Sequence, residues 1–305
     1  WGFGGNGRLG LGDFSGQLVP NCVPGFEGRR VIQCSAGEAH SSCLTDQGGV
    51  FTWGSGNHGR LGHGEQTDCV SARQIDFLRR KQVQTVSAGS FTTSAITTNG
   101  DVFMWGGGLY GKTGLGDETN RLTPTMLDGL KGRTNTEIVA GTFHTCVLNH
   151  AGEIWVFGFG GNGRLGMGDT KKYISPEAMK LLKGKRMGPA RSMGGKKGGA
   201  SQQLATEGEA RLQKAMEARR TIQVASGTYH SLTLTAGGDV FAWGEGDNGQ
   251  MGQGDTADSP VPVEIKTLKG KSVSELSVGA QYNLAVTSSG DIYSWGRNRD
   301  GQCGH

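Results

Sequence analysis

Residues 1–13, WGFGGNGRLGLGD, are the unit from which the rest of the chain is built. The unit returns five times, as WGSGNHGRLGHGE from Trp53, WGGGLYGKTGLGD from Trp105, FGFGGNGRLGMGD from Phe157, WGEGDNGQMGQGD from Trp243 and WGRNRDGQCGH from Trp295. The first four copies begin 52 residues apart and so do the last two, whereas the step between the fourth and fifth copies is 86 residues. A fixed period of about 50 residues indicates a repeat architecture.

The composition agrees with many short strands. Of 305 residues, 56 are glycine and 34% are hydrophobic. Glycine this frequent, without a collagen period, is typical of tight turns between strands. No apolar run approaches the roughly 18 residues of a membrane span, and no signal peptide is evident. The sequence opens on Trp1, inside a repeat, so we expect its natural N-terminus to lie further upstream.

Charge is concentrated in one segment. The net charge of +4 arises within residues 187–220, which hold seven Lys or Arg and three Glu, and the remainder holds 24 of each sign. Alignment of the copies places the 34 extra residues of the long step in this same segment. The neutral body does not favour nucleic acid as a partner.

The second period shows how one repeat is predicted to fold. Residues 86–89 and 91–96 are short apolar strands, residues 98–101 (TNGD) predict a hairpin turn, and residues 102–105 (VFMW) predict a third strand. A weaker fourth strand follows each glycine loop, at 18–23, 71–75, 123–127, 175–179 and 260–265.

The third strand is the most regular element of the repeat. It reads VFTW, VFMW, IWVF, VFAW and IYSW. Both of its faces are apolar, which is typical of a strand buried between two neighbouring sheets. Three or four short strands per fifty residues, with no helix between them, predict an all-β architecture of sheets stacked radially.

The recurring pattern G-x-x-H … G-x-(V/I)-(F/Y)-x-W-G-x-G-x-x-G-x-L-G-x-G resembles the regulator of chromosome condensation repeat, over nearly the whole chain outside 187–220. The resemblance implies a seven-bladed β-propeller. We expect one propeller domain over residues 1–305, with repeats starting near 1, 53, 105, 157, 243 and 295. About five to six blades are represented, and seven repeats of this period need roughly 360 residues. We therefore expect the sequence to be part of a longer chain.

Two motifs invite a chemical interpretation that their context argues against. Residues 106–113 match the phosphate-loop pattern G-x-x-x-x-G-K-T, but Gly114-Leu115-Gly116-Asp117 follows where that motif needs a helix. The G-x-G-x-x-G strings of the other loops fail for the same reason. We expect no cofactor site here.

His40, His144 and His230 recur at one position of the repeat and could suggest a metal or acid–base set. They belong to different blades, so we expect each imidazole to bond turn backbone inside its own blade. No constellation of side chains predicts catalysis, and we expect neither a metal site nor an enzyme.

A basic residue follows the third loop glycine in four copies: Arg8, Arg60, Lys112 and Arg164. An acidic residue follows the last loop glycine, at Asp13, Glu65, Asp117, Asp169 and Asp255. Equivalent positions of a propeller lie on one rim. Two interpretations stay open: bracing of each loop, worth under about 1 kcal/mol per pair, or a polar docking face for a protein partner.

The segment 187–220 is the second candidate docking element. Its first half is rich in Gly, Ser and Lys and is predicted to be flexible. Residues 203–220 could be helical, because Glu207 stands four before Arg211. The insert is therefore predicted to be partly helical or disordered. Its basic residues Arg191, Lys196, Lys197, Arg211 and Lys214 would contact an acidic protein surface such as tubulin, or the insert is simply a solvated loop.

The function expected is a non-enzymatic scaffold that docks proteins through loop faces and the basic insert. The resemblance adds two alternatives: guanine-nucleotide exchange on a small Ran-type GTPase, or a propeller domain of a larger ciliary, cytoskeletal or ubiquitin-ligase protein. Six cysteines without metal-site spacing predict reduced thiols. We expect an intracellular, cytoplasmic protein with cytoskeletal, ciliary or nuclear alternatives, and no membrane contact.

Overall fold

Five antiparallel β-sheets form the described part of the protein, which in this computed structural model comprises residues 1–179 and 217–305. Four sheets have four strands, the last has three, and strand order in every sheet follows chain order. Each sheet is one repeat of the period found in the sequence. The predicted all-β propeller is confirmed, with five blades present.

The strands of each blade have nearly constant lengths. The first blade contains β1 (Val31–Ala36), β2 (His40–Thr45), β3 (Val50–Gly54) and β4 (Cys69–Gln74). The second contains β5 (Val83–Ala88), β6 (Thr92–Thr97), β7 (Val102–Gly106) and β8 (Arg121–Met126). The third contains β9 (Asn135–Ala140), β10 (His144–Asn149), β11 (Ile154–Gly158) and β12 (Tyr173–Ala178). The fourth contains β13 (Thr221–Ser226), β14 (His230–Thr235), β15 (Val240–Gly244) and β16 (Ser259–Glu264), and the fifth β17 (Val273–Val278), β18 (Tyr282–Thr287) and β19 (Ile292–Gly296).

Short 3₁₀ turns lie between the strands. Four occupy the glycine loops, at Gly5–Gly7, Asn57–Gly59, Leu109–Gly111 and Gly161–Gly163. Three follow fourth strands, at Asp76–Leu78, Asp128–Leu130 and Lys266–Leu268.

The first strands of successive blades pack against one another and line a central cavity of about 620 Å³. A glycine ends each of these strands and lines the cavity. A Cβ on Gly37 would lie 2.3 Å from the carbonyl oxygen of Gly89, and one on Gly89 2.8 Å from that of Gly141. Glycine is needed here because the neighbouring backbones approach too closely for a side chain.

Side chains on the first strands also join neighbouring blades. The amide oxygen of Gln33 accepts a hydrogen bond from the backbone N–H of Val86 at 2.9 Å, and that of Gln223 accepts from Leu276 at 2.8 Å. Glu137 accepts from Val224 in the same way at 3.0 Å. Burial raises the pKa of Glu137 to about 7.

The hydrophobic core lies between the blades. In the cluster between the first two, Leu44 and Val50 of the first blade pack with Val86, Phe103 and Trp105 of the second. Strands β3 and β7 are buried along their whole lengths, as predicted for third strands that have a sheet on each side.

A loop glycine faces the aromatic residue that ends the third strand of the next blade. A Cβ on Gly62 would lie 2.8 Å from Nε1 of Trp105. The pairs are Gly10 with Trp53, Gly62 with Trp105, Gly114 with Phe157, Gly166 with Trp243 and Gly252 with Trp295. Tryptophan and glycine therefore recur with one period in the sequence because each pair makes the same contact between neighbouring blades.

One predicted strand is absent from the described residues. Residues 18–23 form no strand, and only a bridge between Gly2 and Gln17 marks their pairing. The third strand with which they would pair is represented in the sequence by Trp1 and Gly2 alone. The predicted helix at 203–220 lies outside the described residues except for its last four positions.

Gly62→Ala tests the contact between loop and tryptophan. We expect it to lower the free energy of unfolding by about 2–5 kcal/mol, because it adds a backbone strain of about 1–2 kcal/mol at a φ of +77° to overpacking of about 1–3 kcal/mol. Gly254→Ala is the control, since Gly254 has a φ of +85° but no atom within 4 Å of its Cβ position. We expect a loss of about 1–2 kcal/mol for it. Equal losses in denaturant unfolding would show that the contact does not matter.

Candidate interaction face

The basic loop residues, proposed from the sequence as a docking face, point into the protein. Arg60, Lys112 and Arg164 are 3%, 4% and 1% exposed, and Arg8 is half-buried. Gln250, which stands at the same position of the next copy, is 0% exposed. A partner could reach little of the three buried side chains, so the structure favours the alternative that they brace their loops.

Arg164 shows how the bracing works. Its Nε donates to the carbonyl oxygen of Gly161 in its own loop at 2.7 Å, and Nη1 donates to that of Thr228 in the next blade at 3.3 Å. Arg60 repeats the arrangement with Asn57 at 2.9 Å and Ser90 at 2.8 Å. Each guanidinium therefore ties a glycine loop to the hairpin of the following blade.

The main-chain carbonyl oxygen of the same residue forms a second connection to the next blade. The carbonyl oxygen of Arg164 accepts from Nε1 of Trp243 at 2.9 Å and from Oγ of Ser231 at 3.4 Å. That of Arg8 accepts from Trp53 at 3.0 Å and Ser41 at 2.9 Å. The indole N–H groups of Trp53 and Trp243 thus gain an acceptor, whereas Nε1 of Trp105 is buried without a hydrogen-bond partner among the described residues.

The acidic residues at the ends of the loops form local turns. A carboxylate oxygen of Asp117 accepts from the backbone N–H of Thr119 at 2.9 Å, and Asp169 does the same for Lys171 at 3.1 Å. Asp13 and Asp255 accept from the residue two positions on in the same way. The second carboxylate oxygen is also used within the loop region: that of Asp117 accepts from Nη2 of Arg121 at 2.7 Å, and that of Asp169 accepts from the hydroxyl of Tyr173 at 2.9 Å.

The three recurring histidines bond across blades, so the prediction of bonds to turn backbone within one blade is wrong. Nε2 of His40 lies 2.8 Å from Oγ1 of Thr93, and Nε2 of His144 lies 2.7 Å from Oγ of Ser231. Nε2 of His230 lies 2.7 Å from Oδ1 of Asn283. The turns keep their backbone groups paired within the hairpin, so the imidazole is free to reach the next blade.

These contacts fix the protonation of the rings. The oxygen that faces His230 is an acceptor and Thr93 gives its own proton to the carbonyl of Arg60, so Nε2 carries the hydrogen. Nδ1 of all three is buried and has no hydrogen-bond partner among the described residues. Burial lowers the pKa of His40 and His144 to about 3 and that of His230 to about 4. The rings are neutral structural links.

The string 106–113 is part of this same loop framework. It ends β7 and continues through the 3₁₀ turn Leu109–Gly111, after which Lys112 is buried. Nζ of Lys112 lies 3.5 Å from the carbonyl oxygen of Thr142. The lysine thus takes the bracing position of the repeat and does not extend from a helix N-terminus.

The remaining candidate residues, Arg191, Lys196, Lys197, Arg211 and Lys214, lie outside the described residues. In the sequence, the segment they belong to lies between β12 and β13. Its last residues are held in place, since Ala218 and Arg220 accept backbone hydrogen bonds from Gly237 at 2.7 Å and Ala236 at 2.8 Å.

Aromatic residues that sequence reasoning missed lie on the loop face. The residue before the recurring histidine position is Phe91, Phe143 or Tyr229 in three consecutive blades. The buried cations lie against these rings: Arg60 at 4.9 Å from the Phe91 centroid and Arg164 at 4.8 Å from that of Tyr229. The recurrence of an aromatic residue at one hairpin position was a signal available in the sequence.

Comparison with known proteins identifies the repeat. The chain matches the family model described as "Regulator of chromosome condensation (RCC1) repeat" over residues 1–44, 47–96, 99–148 and 237–286. A second model with that description matches residues 83–112, 222–250 and 273–302. Within the described residues, no helix is long and apolar enough to cross a membrane.

Three curated relatives align along almost the whole chain. The ultraviolet-B receptor UVR8 of Arabidopsis thaliana is 29% identical over 304 residues, covering 100% of this chain and 61% of that protein. The RCC1 domain-containing protein RUG3, mitochondrial, of the same plant is 32% identical, with 100% and 62% covered. The E3 ubiquitin-protein ligase HERC2 of Homo sapiens is 32% identical, with 98% and 6% covered. The chain thus spans about three fifths of two relatives and a small part of the third.

Solved structures share the fold. Human WBSCR16 superposes with a TM-score of 0.77 at 25% identity, covering 99% of this chain and 71% of that one. Prp20p of Saccharomyces cerevisiae superposes with a TM-score of 0.69 at 19% identity, covering 96% and 62%.

Arg164→Ala tests the bracing role. We expect it to lower the free energy of unfolding by about 2–4 kcal/mol, because it removes packed side-chain volume and takes the side-chain donor from the partly buried carbonyl oxygen of Thr228. Arg80→Ala is the control, since Arg80 is exposed, and we expect a change within about 0.5 kcal/mol. A loss for Arg164→Ala as small as that of the control, in denaturant unfolding, would restore the docking interpretation.

The histidines predict a pH dependence of stability. Their pKa is lowered in the folded chain from 6.5 to about 3 or 4, so between about pH 6 and pH 4 only the unfolded chain binds protons there. The free energy of unfolding therefore falls as the pH falls, by up to about 1.4 kcal/mol per pH unit for each histidine.

We expect His144→Gln to make this slope shallower by up to about 1.4 kcal/mol per pH unit. His150→Gln, at an exposed histidine, is the control variant. Urea unfolding at a series of pH values measures both. A slope for His144→Gln equal to that of the wild type would mean that His144 is protonated in the folded chain.

Proposed function

This chain belongs to the regulator of chromosome condensation (RCC1) repeat family, and from that premise we propose that it is a non-enzymatic scaffold that binds other proteins. The observation that supports the proposal is that the recurring polar residues serve as contacts between blades. Arg60, Arg164 and His144, which could serve chemistry at another site, are buried and bonded to the neighbouring blade. They hold the loops of one face rigid, and a rigid face is suited to docking.

We further propose that the complete ring has seven blades. The far face of the fifth blade supports this, because Ile292 is 70% exposed whereas Val50 and Val240, at the same position of inner blades, are 0% and 1% exposed. An apolar face that is buried everywhere else in the repeat is expected to have a further blade beside it.

The basic insert and the half-buried Arg8 are the proposed partner contacts. The insert, with seven Lys or Arg and three Glu, carries the net charge of +4 of a chain that is otherwise neutral, which suits an acidic protein surface such as that of tubulin. The six free cysteines support an intracellular place for this interaction, in the cytoplasm or, as alternatives, at the cytoskeleton, the cilium or in the nucleus.

Two alternatives are supported by individual comparisons. Prp20p binds Gsp1p and histones, and the shared fold keeps nucleotide exchange on a small GTPase as an alternative. The similarity to HERC2 supports, as a second alternative, that this chain is one propeller of a larger ubiquitin ligase.

Charge reversal in the insert tests the scaffold. We expect simultaneous replacement of Arg191, Lys196, Lys197, Arg211 and Lys214 by Glu to weaken binding of the proteins captured by the wild type at least about fivefold. Five charge contacts at a protein surface contribute about 0.2–1 kcal/mol each, and about 1.4 kcal/mol is tenfold in affinity. Quantitative affinity capture over a range of salt concentrations measures this.

The control reverses five exposed charges on the body: Arg30, Arg80, Lys131, Lys171 and Lys266. Capture that is insensitive to the insert but sensitive to the body would move the docking site away from the insert. Release of fluorescent GDP from a Ran-type GTPase, accelerated manyfold by stoichiometric protein, would replace the scaffold by the exchange alternative.

A further inference from the structure

The innermost strands of neighbouring blades are joined by a side chain at one fixed position of the repeat. Gln33, Glu137 and Gln223 occupy that position in the first, third and fourth blades. A side-chain oxygen of each accepts a hydrogen bond from a backbone N–H of the next blade, at 2.9, 3.0 and 2.8 Å respectively. Two of these residues are neutral amides and one is a carboxylic acid, so the bonding of Glu137 can change with pH.

The residue that Glu137 binds lies on the edge strand of its sheet. Strand β13 pairs along one edge only, with β14. Hydrogen-bonded pairs alternate along such a ladder, and the N–H of Gly227 donates to the carbonyl oxygen of His230 at 2.9 Å. Val224 stands three positions before Gly227, opposite Thr233, and so falls at a pair without backbone bonds. Its N–H and its C=O therefore both point away from β14.

Gln223 shows how both backbone groups of such an edge residue are satisfied. Its Oε1 accepts from the N–H of Leu276 at 2.8 Å, and its Nε2 donates to the carbonyl oxygen of the same residue at 2.9 Å. Leu276 is the residue of β17 that corresponds to Val224 of β13. An amide side chain can form this pair of bonds because it carries an acceptor and a donor on neighbouring atoms.

A glutamic acid can form the same pair of bonds only in its protonated form. Oε2 of Glu137 accepts from the N–H of Val224, so its other carboxyl oxygen corresponds to the amide nitrogen of Gln223. An ionised carboxylate only accepts hydrogen bonds, whereas a protonated carboxyl group has one O–H donor. A proton on that oxygen would supply the bond to the carbonyl oxygen of Val224, and its loss would set two oxygens against each other.

The surroundings of Glu137 favour the protonated form. Leu148, opposite it on β10, and Val224 on β13 belong to one buried hydrophobic cluster. Burial raises the pKa of the Glu137 carboxyl to about 7, while the hydrogen bond from Val224 acts in the opposite direction. A carboxylate in apolar surroundings loses hydration that a single N–H does not replace.

Within the described residues, the strands that pack on β9 bring no charged side chain to Glu137. Strands β5, β6 and β13 contain no titratable side chain, and β10 contains His144 and Cys146. Burial raises the pKa of the Cys146 thiol to about 11 and lowers that of His144 to about 3, so both are neutral near pH 7. Arg220, directly before β13, donates to Glu217 at 2.7 Å.

We propose that Glu137 is a pH-sensitive connection between the third and fourth blades. With its proton, the carboxyl group binds both the N–H and the C=O of Val224 and holds β13 against β9. Without the proton, one bond remains beside a charge that no neighbour neutralises, and the interface is weaker. Strand β13 follows the basic insert in the sequence, so this interface lies between the two blades that the insert connects. The proposal goes beyond the scaffold function and does not depend on it.

Glu137→Gln tests the connection, because it places in the third blade the residue found in the first and fourth. The pKa of Glu137 is raised by burial from 4.5 to about 7, so the folded chain binds the extra proton between these values. The stability that this proton supplies is lost as the pH rises. We expect the unfolding constant of the wild type, divided by that of Glu137→Gln, to rise by up to about tenfold per pH unit from about pH 5 to about pH 7. Urea unfolding measures this ratio, in which the contribution of the histidines cancels.

Gln223→Glu is the reciprocal variant, since it puts an acid at the same position between the fourth and fifth blades. We expect its unfolding constant, divided by that of the wild type, to rise with pH as well, because its carboxylate would face the backbone of Leu276 in the same way. Glu275→Gln is the matched control. Glu275 stands at the equivalent position of the fifth blade and is exposed.

A ratio for Glu137→Gln that changes with pH no more than that for Glu275→Gln would overturn the proposal. Gln223→Glu that follows the wild type at every pH would overturn it too. Carbon-13 NMR of the side-chain carboxyl groups follows the titration in the folded protein. The resonance that Glu137→Gln lacks is expected to titrate with a midpoint near pH 7, and a midpoint at its ordinary pKa of 4.5 would contradict the proposal. All these outcomes leave the scaffold function in place, since charge reversal in the insert tests it separately.

Discussion

Adjacent blades are held at one spacing by contacts that leave no space for a side chain on one partner. At the outer contact a loop glycine faces the indole of the next blade, as Gly62 faces Trp105. At the axis a glycine of each hairpin faces the carbonyl oxygen of the next, as Gly37 faces Gly89. Two such contacts at different radii fix both the distance and the angle between sheets. The fixed period of the sequence places the residues that make these contacts at the same positions of each blade.

Hydrogen bonds between blades add to these packing contacts. The carbonyl oxygen of Arg164 is shared by Trp243 and Ser231, and the hydroxyl oxygen of Ser231 also accepts a hydrogen bond from His144. The carbonyl oxygen of Arg164 therefore connects the glycine loop of one blade to the hairpin and the third strand of the next. A charged residue suits the loop position because its main chain accepts these bonds while its side chain reaches the next hairpin.

Much of the fold followed from the sequence, because strand alternation, turn glycines and a fixed period are local signals. The environment of Arg60, Lys112 and Arg164 did not, because the residues that bury them lie about 30 to 60 positions away, as Ser90 does from Arg60. One signal was available: neutral Gln250 shares their position and burial, which is unexpected of a ring of docking charges. The cross-blade bonds of the histidines span 53 or 87 residues, and no single repeat contains both partners.

The hydrogen bond from His144 to Ser231 connects one blade to the next blade along the chain, always in the same order. The first, third and fourth blades each present an imidazole to the following blade, which offers a hydroxyl or an amide oxygen, so these polar groups find partners only when the next blade is folded beside them. A lone blade would leave its indole, its imidazole and the apolar faces between blades exposed to water, so its folding depends on its neighbours. Cooperativity in such a ring passes from one interface to the next. Loss of one such interface is therefore expected to weaken the two blades that share it before it affects blades further away.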